Sequence, residues 1–422
     1  MGETPGPLVI TGANLIDGTG RDPISDAAVV VENGRFRTVG PASGVPRPRD
    51  AQVLHADGRT LLPGFIDAHV HAAYRARDLK QHLLNPPTYN ILRSTSILRA
   101  TLDCGVTTAR DCGGADAGFR MALEENLVAG PRLTVSIAMI SQTGGHGDTW
   151  VPASFRVPKR TWLPDSVADG VDEVRRVSRH LLMAGADFLK ICATGGITSV
   201  TDSFDEPQYT VAELRACVEE GAARRRPVAA HAEGLEGIRN SLEAGVYSLE
   251  HGWFLDEECV ELMLRNGTWW VPTLALVPRS VERRRADAAW SSQQVGAEDR
   301  EDDAIRRRQL EQVPLWRHAV ERGVRVAMGT DQSHRLLVGE NLAELEYLVE
   351  LLGMSPMEAI VASTMRGAEC LGRPELGSIE AGKVADLVLV DGDPLADIRL
   401  LQDPARITVV MKDGAVHKNL VE

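Results

Sequence analysis

The sequence has no run approaching the roughly 18 apolar residues needed to cross a bilayer, so a membrane-spanning protein is not expected. Basic charge is in deficit: 46 Lys and Arg stand against 59 Asp and Glu, a formal net charge of −13. A nucleic-acid partner, which draws on a basic face, is disfavoured, and so is adhesion to an anionic membrane. Cysteine is sparse. Cys104, Cys112, Cys192, Cys217, Cys259 and Cys370 are scattered with no C-x-x-C pair, which argues against a zinc–thiolate cluster and for reduced core thiols in a cytoplasmic protein. The opening "MGETPGPLVITG" lacks the basic and long apolar stretches of a secretory leader. G-x-S-x-G and H-E-x-x-H are both missing, which disfavours a serine hydrolase and a zincin protease.

What is present is an ordinary globular composition, 43% hydrophobic and 25% charged over 422 residues, enough for one large domain and a smaller one. The middle of the chain has a rhythm in which a helix-length segment ends in Gly and a short apolar strand follows. The strands read "LLPGFIDAHVH" (61–71), "CGVTTARD" (104–111), "AGPRLTVSIAMI" (129–140), "AGADFLKICATGG" (184–196), "RPVAAHAEG" (226–234), "AGVYSLEHG" (244–252), "NGTWWVPTL" (266–274) and "RGVRVAMGTD" (322–331). Continuously apolar strands alternating with helices imply a parallel sheet covered on both faces. Eight such units fit an α/β fold of the (β/α)8 TIM-barrel type. A doubly wound open sheet is the alternative, lowered because no G-x-G-x-x-G follows a strand.

The chain ends read differently, as short strands with the hairpin signals Asn33-Gly34 and Asp413-Gly414. They are expected to build one small β-sandwich domain from residues 1–61 plus 372–422, with the barrel, residues 62–371, inserted between them. The charged stretch 279–312 reads as a solvated outer helix or as a lid over the barrel mouth.

Barrel enzymes carry their active-site residues at the C-terminal ends of the strands. Here those ends supply His69 and His71, Lys190, His231, His251 and Asp331. One histidine at a strand end is usually a core residue. Four with a carboxylate, converging on one mouth, are the ligand types that hold zinc or a similar divalent ion. Lys190 sits inside an apolar strand, where a lysine is costly unless paired. It is either bound to a carboxylate or converted by CO2 to a carbamate that bridges two metal ions. His55, His82, His180, His318 and His417 lie off these ends and read as structural or surface residues.

Taken together, "GFIDAHVH", "FLKICATGG", "HAEG", "SLEHG" and "GTD" resemble the amidohydrolase superfamily over nearly the whole chain. With the strand-4 lysine and "GGHGD" (144–148), the chain is most similar to its prolidase-like and imidazolonepropionase-related branch. That branch includes zinc-dependent dipeptidases, carboxypeptidase-like enzymes acting on N-acyl amino acids, and hydrolases of ochratoxin-type amides. The resemblance implies that His69, His71 and Asp331 bind a more buried metal, that His231 and His251 bind a more exposed one, and that carboxylated Lys190 bridges two ions, most simply Zn2+. A hydroxide between the ions would attack the substrate carbonyl, with Asp331 shuttling a proton to the leaving amine. The expected reaction is cleavage of an amide in a dipeptide or N-acyl amino acid. Ring opening of a cyclic amide, or deamination, is the alternative on the same scaffold.

Around this centre, His146 reads as a donor to the oxyanion or to a substrate carboxylate, or else as a loop staple. Thr194, Gly195 and Gly196 offer amides to substrate, or form a plain turn. His334 and Tyr74 are candidate substrate contacts, and Arg75 and Arg77 face either a carboxylate or solvent. Glu233 in "HAEG" adds a carboxylate that suits proton transfer in a deaminase. Trp150, Trp253, Trp269 and Trp270 line a pocket or fill the core. Related barrels often assemble, so a homo-oligomer is expected.

Overall fold

The computed structural model describes residues 6–73, 84–151, 155–156, 163–197, 202–286, 292–333 and 337–421. Tyr74, Arg75, Arg77, His82 and His334 lie outside them. The first strands are β1 (Leu8–Leu15), β2 (Ile24–Glu32), β3 (Arg35–Pro41), β4 (Gln52–His55) and β5 (Thr60–Pro63). The parallel strands follow: β6 (Phe65–Val70), β7 (Val106–Asp111), β8 (Arg132–Val135) and β9 (Met139–Ile140). A side hairpin, β10 (Trp150–Val151) and β11 (Phe155–Arg156), precedes β12 (Leu189–Cys192), β13 (Val228–Ala232), β14 (Ser248–His251), β15 (Trp269–Val271) and β16 (Arg325–Val326). The chain closes with β17 (Leu387–Val390), β18 (Ile407–Lys412) and β19 (Ala415–Asn419).

Strands from both chain ends pair in a single sheet of order β19-β18-β17-β5-β1-β2-β3, with β4 added to β1. The sandwich expected from the sequence is thus one hydrogen-bonded sheet that branches at β1. Asn33 and Gly34, and Asp413 and Gly414, all take positive φ at its two tight turns, as the Asn-Gly and Asp-Gly pairs require. Period-two alternation gives this sheet two buried faces. Leu61, Leu387, Leu389, Val409 and Met411 fill its own core, while Leu62, Val388, Val390 and Val410 pack into the main core.

All eight strand segments read from the central sequence are present and pair in parallel, as β16-β15-β14-β13-β12-β9 and β6-β7-β8. The third segment is broken into β8 and β9 by Ile137, whose φ is 71°. Ala138 N donates to Ser136 O at 2.9 Å, a γ-turn that a β-branched residue adopts only under strain. The two sheets also touch at β6, where Ala68 N donates to Met328 O (2.8 Å) and Asp331 N donates to His69 O (2.8 Å). Gly245 and Gly267 close the helices before β14 and β15 in the left-handed conformation.

Along these strands the inward and outward residues separate. Leu189, Ile191, Val228 and Ala230 join the large core, whereas Phe188, Ala229 and Cys112 form a small cluster on the opposite side. Lys190 and His231 share that opposite side by parity. The segment after β15 forms two helices, Leu276–Ala286 and Ser292–Glu321. Trp316 of the second is fully buried and donates to Trp253 O at 2.9 Å. Trp253, Trp269 and Trp270 are core residues and Trp150 is exposed, so core packing decides three of the four tryptophans. All six cysteines are free and buried. Among the described residues no helix is long and apolar enough to cross a membrane.

Arg132 ties the parallel strands to the mixed sheet. Its Nη1 reaches Asp386 Oδ2 and Thr108 Oγ1, both at 2.8 Å, and its Nη2 reaches Asp413. Asp386 is 4% exposed, so an Arg132→Ala change leaves a buried carboxylate unpaired. Such an orphaned charge costs about 3 kcal/mol. The change is expected to lower the urea midpoint by that equivalent, and an unchanged midpoint refutes the tie.

Candidate metal centre

The end of β6 is not a regular strand. Its pairing with β7 runs Asp67↔Ala109 and then Val70↔Asp111, so β6 carries one extra residue between these points. A bulge of this kind re-aims side chains locally. Ala68 packs among Trp269, Val271 and Ala327, while His69 and His71 both reach Asp331. His69 Nε2 lies 3.6 Å and His71 Nε2 3.1 Å from Asp331 Oδ1.

The other nitrogen of each ring is engaged. His71 Nδ1 donates to Gly113 O at 2.7 Å, which fixes its tautomer because a carbonyl only accepts. His69 Nδ1 donates to Glu250 Oε2 at 2.8 Å. Glu250 Oε1 in turn accepts from Arg110 Nη2 (2.7 Å) and Ser248 Oγ (2.6 Å), and Arg110 Nε donates to Ala68 O (2.6 Å). Asp67 Oδ1 accepts from His69 N and Thr330 N, both at 3.1 Å, and Oδ2 accepts from Thr330 Oγ1 (2.7 Å) and Asn341 Nδ2 (2.9 Å). Burial outweighs these four bonds and raises the Asp67 carboxyl to about 6.

A second group lies beside the first. His231 Nε2 donates to Gly195 O at 2.9 Å, leaving Nδ1 as the electron-pair donor. His251 Nδ1 pairs with Thr273 Oγ1 at 2.7 Å, leaving Nε2. The ring centroids of His231 and His251 are 4.6 Å apart, and those of His251 and His69 5.0 Å. Strand parity would turn His251 outward, since Leu249 belongs to the outer core and Ser248 and Glu250 face Arg110. The φ of 69° at His251 reverses this, and Asp331 has a φ of 55°. Left-handed backbone at a non-glycine costs about 1–3 kcal/mol and persists only where its surroundings enforce it.

The donor groups His69–His71–Asp331 and His231–Glu233–His251 each bring their ligand atoms within 4.8 Å of one another. Neutral imidazoles and carboxylates are the donors that suit zinc and related divalent ions. Burial, aided by the positive charge of Lys190, holds His69, His231 and His251 well below the ordinary imidazole range, so they offer lone pairs rather than protons. Burial alone would raise Asp331. The His71 contact and the nearby Lys190 cation outweigh it and bring the carboxyl to about 2. Glu233 moves the other way, pushed well above the usual range by burial despite accepting from Ile197 N at 3.0 Å. A third group, His69–Cys112–Glu250, shares its histidine with the first, and Arg110 and Ser248 already occupy its Glu250.

Lys190 is 1% exposed and its Nζ has no hydrogen-bond partner among the described residues. The carboxylate partner that one reading of the sequence allowed is therefore not seen. A buried ammonium without a partner costs several kcal/mol. A carbamate turns the cation into a two-oxygen anion and removes that cost if cations sit beside it.

The remaining candidates fall in the loops. His146 stacks on His231 with centroids 4.3 Å apart and planes 14° from parallel. Thr194 Oγ1 donates to Gly195 O (2.7 Å) and accepts from Glu233 N (3.1 Å). Gly195 N donates to Glu206 O (3.2 Å) and Gly196 N to Asp202 Oδ1 (3.1 Å). These amides are satisfied inside the protein, so substrate contact through them requires a change of partner. His318 and His417 pair with Glu257 (3.1 Å) and Asp103 (2.7 Å) away from the centre. Arg110, Glu250, Thr273 and Asp111 escaped the sequence reading. Asp111, whose Oδ1 and Oδ2 fasten Gly113 N, Ala115 N and Ala72 N, was visible only as a strand end in "TTARD".

Residues 60–416 match the family model described as the amidohydrolase family. The chain belongs to the amidohydrolase family. An ochratoxinase of Aspergillus niger is 32% identical over 97% of this chain and 86% of its own length. An imidazolonepropionase of Cereibacter sphaeroides is 25% identical over 95% and 97%. Among solved structures, a prolidase complexed with N-methylphosphonate-L-proline superposes with a TM-score of 0.88 at 33% identity, covering 98% of this chain and all of that one.

In this family member Glu250→Gln keeps a side chain of the same size but loosens the His69 anchor. Loss of such a supporting partner lowers metal affinity by about 10–100-fold. Titration of metal-stripped protein with zinc is expected to read that drop, and an unchanged affinity dismisses the anchor.

Proposed function

We propose that this amidohydrolase is a two-metal enzyme that hydrolyses the amide of a dipeptide or an N-acyl amino acid, ochratoxin-type amides included. The observation that carries the reading is the buried, unpartnered Lys190 amine, set among His69, His231, His251 and Asp331. A one-metal deaminase has no use for it. Ring opening of a cyclic amide, or deamination, remains the second reading, the first favoured by the imidazolonepropionase relative and the second by Glu233 beside His231.

His69, His71 and Asp331 would hold one ion, His231 and His251 the other, and the Lys190 carbamate both. When bound, such ions lower the pKa of water toward about 7 and polarise a carbonyl. The chain's own residues do the rest. Both histidine contacts of Asp331 fall on Oδ1, so Oδ2 is the oxygen that takes the proton of the attacking water. It then hands that proton to the nitrogen, which leaves poorly as an anion. His146, over the more exposed ion's ligand, donates to the carbonyl oxygen or the substrate carboxylate. In this reading the parallel strands of residues 62–371 close as a (β/α)8 barrel, residues 1–61 and 372–422 form its companion β domain, and the enzyme works as a cytoplasmic homo-oligomer.

The test is a screen of dipeptides, N-acyl amino acids and ochratoxin-type amides with zinc present. Asp331→Asn is expected to lose about 10²–10⁴-fold in kcat, and full activity in that variant removes Asp331 as the shuttle. Protein grown with ¹³C-bicarbonate should give a carbamate carbon signal that Lys190→Met abolishes. A single tightly held ion with no carbamate signal would falsify the two-metal reading.

A further inference from the structure

The loop after β9 and the loop after β12 are joined around His146 by an open ring of hydrogen bonds, whose ends at Asp202 and the His146 imidazole stand 4.0 Å apart. His146 N donates to Gln208 Oε1 at 3.0 Å. The opposite end of the same amide, Gln208 Nε2, donates to Asp202 Oδ2 at 3.1 Å. Asp202 Oδ1 accepts from Gly196 N at 3.1 Å and lies 4.0 Å from His146 Nδ1. The Asp202 side chain is 3% exposed and Gln208 5% exposed, so both polar groups are committed to this ring.

The fit around the imidazole is tight on two sides. His231 stacks on it, and a Cβ on Gly196 would fall 2.3 Å from His146 Cε1. A Cβ on Gly195 would likewise fall 2.7 Å from Asp202 Oδ1. The double glycine of "ATGG" therefore leaves the room in which Asp202 and His146 approach each other.

A turn-stapling aspartate would spend both oxygens on amides of its own loop. Asp202 spends one on Gly196, sends the other through Gln208 to the backbone of His146, and presents its edge to the imidazole. The arrangement holds both the main chain and the ring of a single residue.

We propose that Asp202, acting with Gln208, is a positioning residue that holds His146 over the metal centre for contact with substrate. The carboxylate beside Nδ1 orients the ring, and the Gln208 bridge sets the height of the loop. This rests on the amide-hydrolase reading for its catalytic consequence, though not for its geometry.

The experiment uses the full-length metal-loaded protein and the best amide found in the screen, with Asp202→Asn, His146→Asn and the double variant. Asp202→Asn is expected to lower kcat/KM by about 10–100-fold, mainly through KM, with bound metal unchanged. In the His146→Asn background it should cost nothing further. Multiplying losses in the double variant, or metal lost in step with activity, overturns the proposal. If the wild type cleaves no amide, the reading of function fails while the positioning claim is still tested by ¹⁵N NMR of the histidine rings. The His146 ring resonances, assigned by their disappearance in His146→Asn, should move in Asp202→Asn, and coincident resonances overturn it.

Discussion

The centre depends on the buried chain Arg110–Glu250–His69. It joins β7, β14 and β6 through one guanidinium, one carboxylate and one imidazole, with contacts of 2.7 and 2.8 Å. A buried ion pair adds little net stability, because desolvating both charges offsets their attraction. What it supplies here is direction. Glu250 can satisfy Arg110 and Ser248 only from one orientation, and in that orientation its second oxygen fixes the Nδ1–H of His69. The lone pair on Nε2 is then aimed at Asp331 whatever else the mouth contains.

From that anchor the other candidate ligands take their positions by backbone distortion rather than by regular strand geometry. The bulge in β6, the left-handed φ of His251 and Asp331, and the γ-turn at Ile137 each break a local rule. Each such position is held by a neighbour that gains from it: His69 O receives Asp331 N, and Thr273, itself at φ 50°, meets His251. The strain gathers at the ends of the strands, where the candidate ligands are. It is absorbed because the strands below are buried on both faces and cannot yield.

Burial sets the chemistry of the same groups. Desolvation moves the histidines toward neutrality and Glu233 toward its protonated form, while the His71 contact and the Lys190 cation keep Asp331 ionised. Neighbouring residues with opposite tendencies thus coexist in one small volume. Lys190 is the exception that burial alone cannot accommodate, because its amine has no partner among the described residues.

Much of this was legible in the sequence. Eight strand segments, both tight turns and six candidate ligand positions follow from residue order alone, because apolar runs, Asn-Gly and Asp-Gly pairs and histidines at strand ends are local signals. Gln208, Asp202, Arg110 and Glu250 were not legible. Each acts on a residue of another strand or another loop, and nothing in the spacing of a linear chain reports a contact such as that between Arg110 and Glu250, 140 positions apart. The H-x-H spacing predicted that His69 and His71 would share a face, while only the bulge decided which face it was. The sequence by itself determined the donor set and the strands that carry it. Tertiary structure decided the tautomers, the charge states and the aim of each candidate ligand, since all three depend on burial and on partners that arrive from elsewhere in the fold.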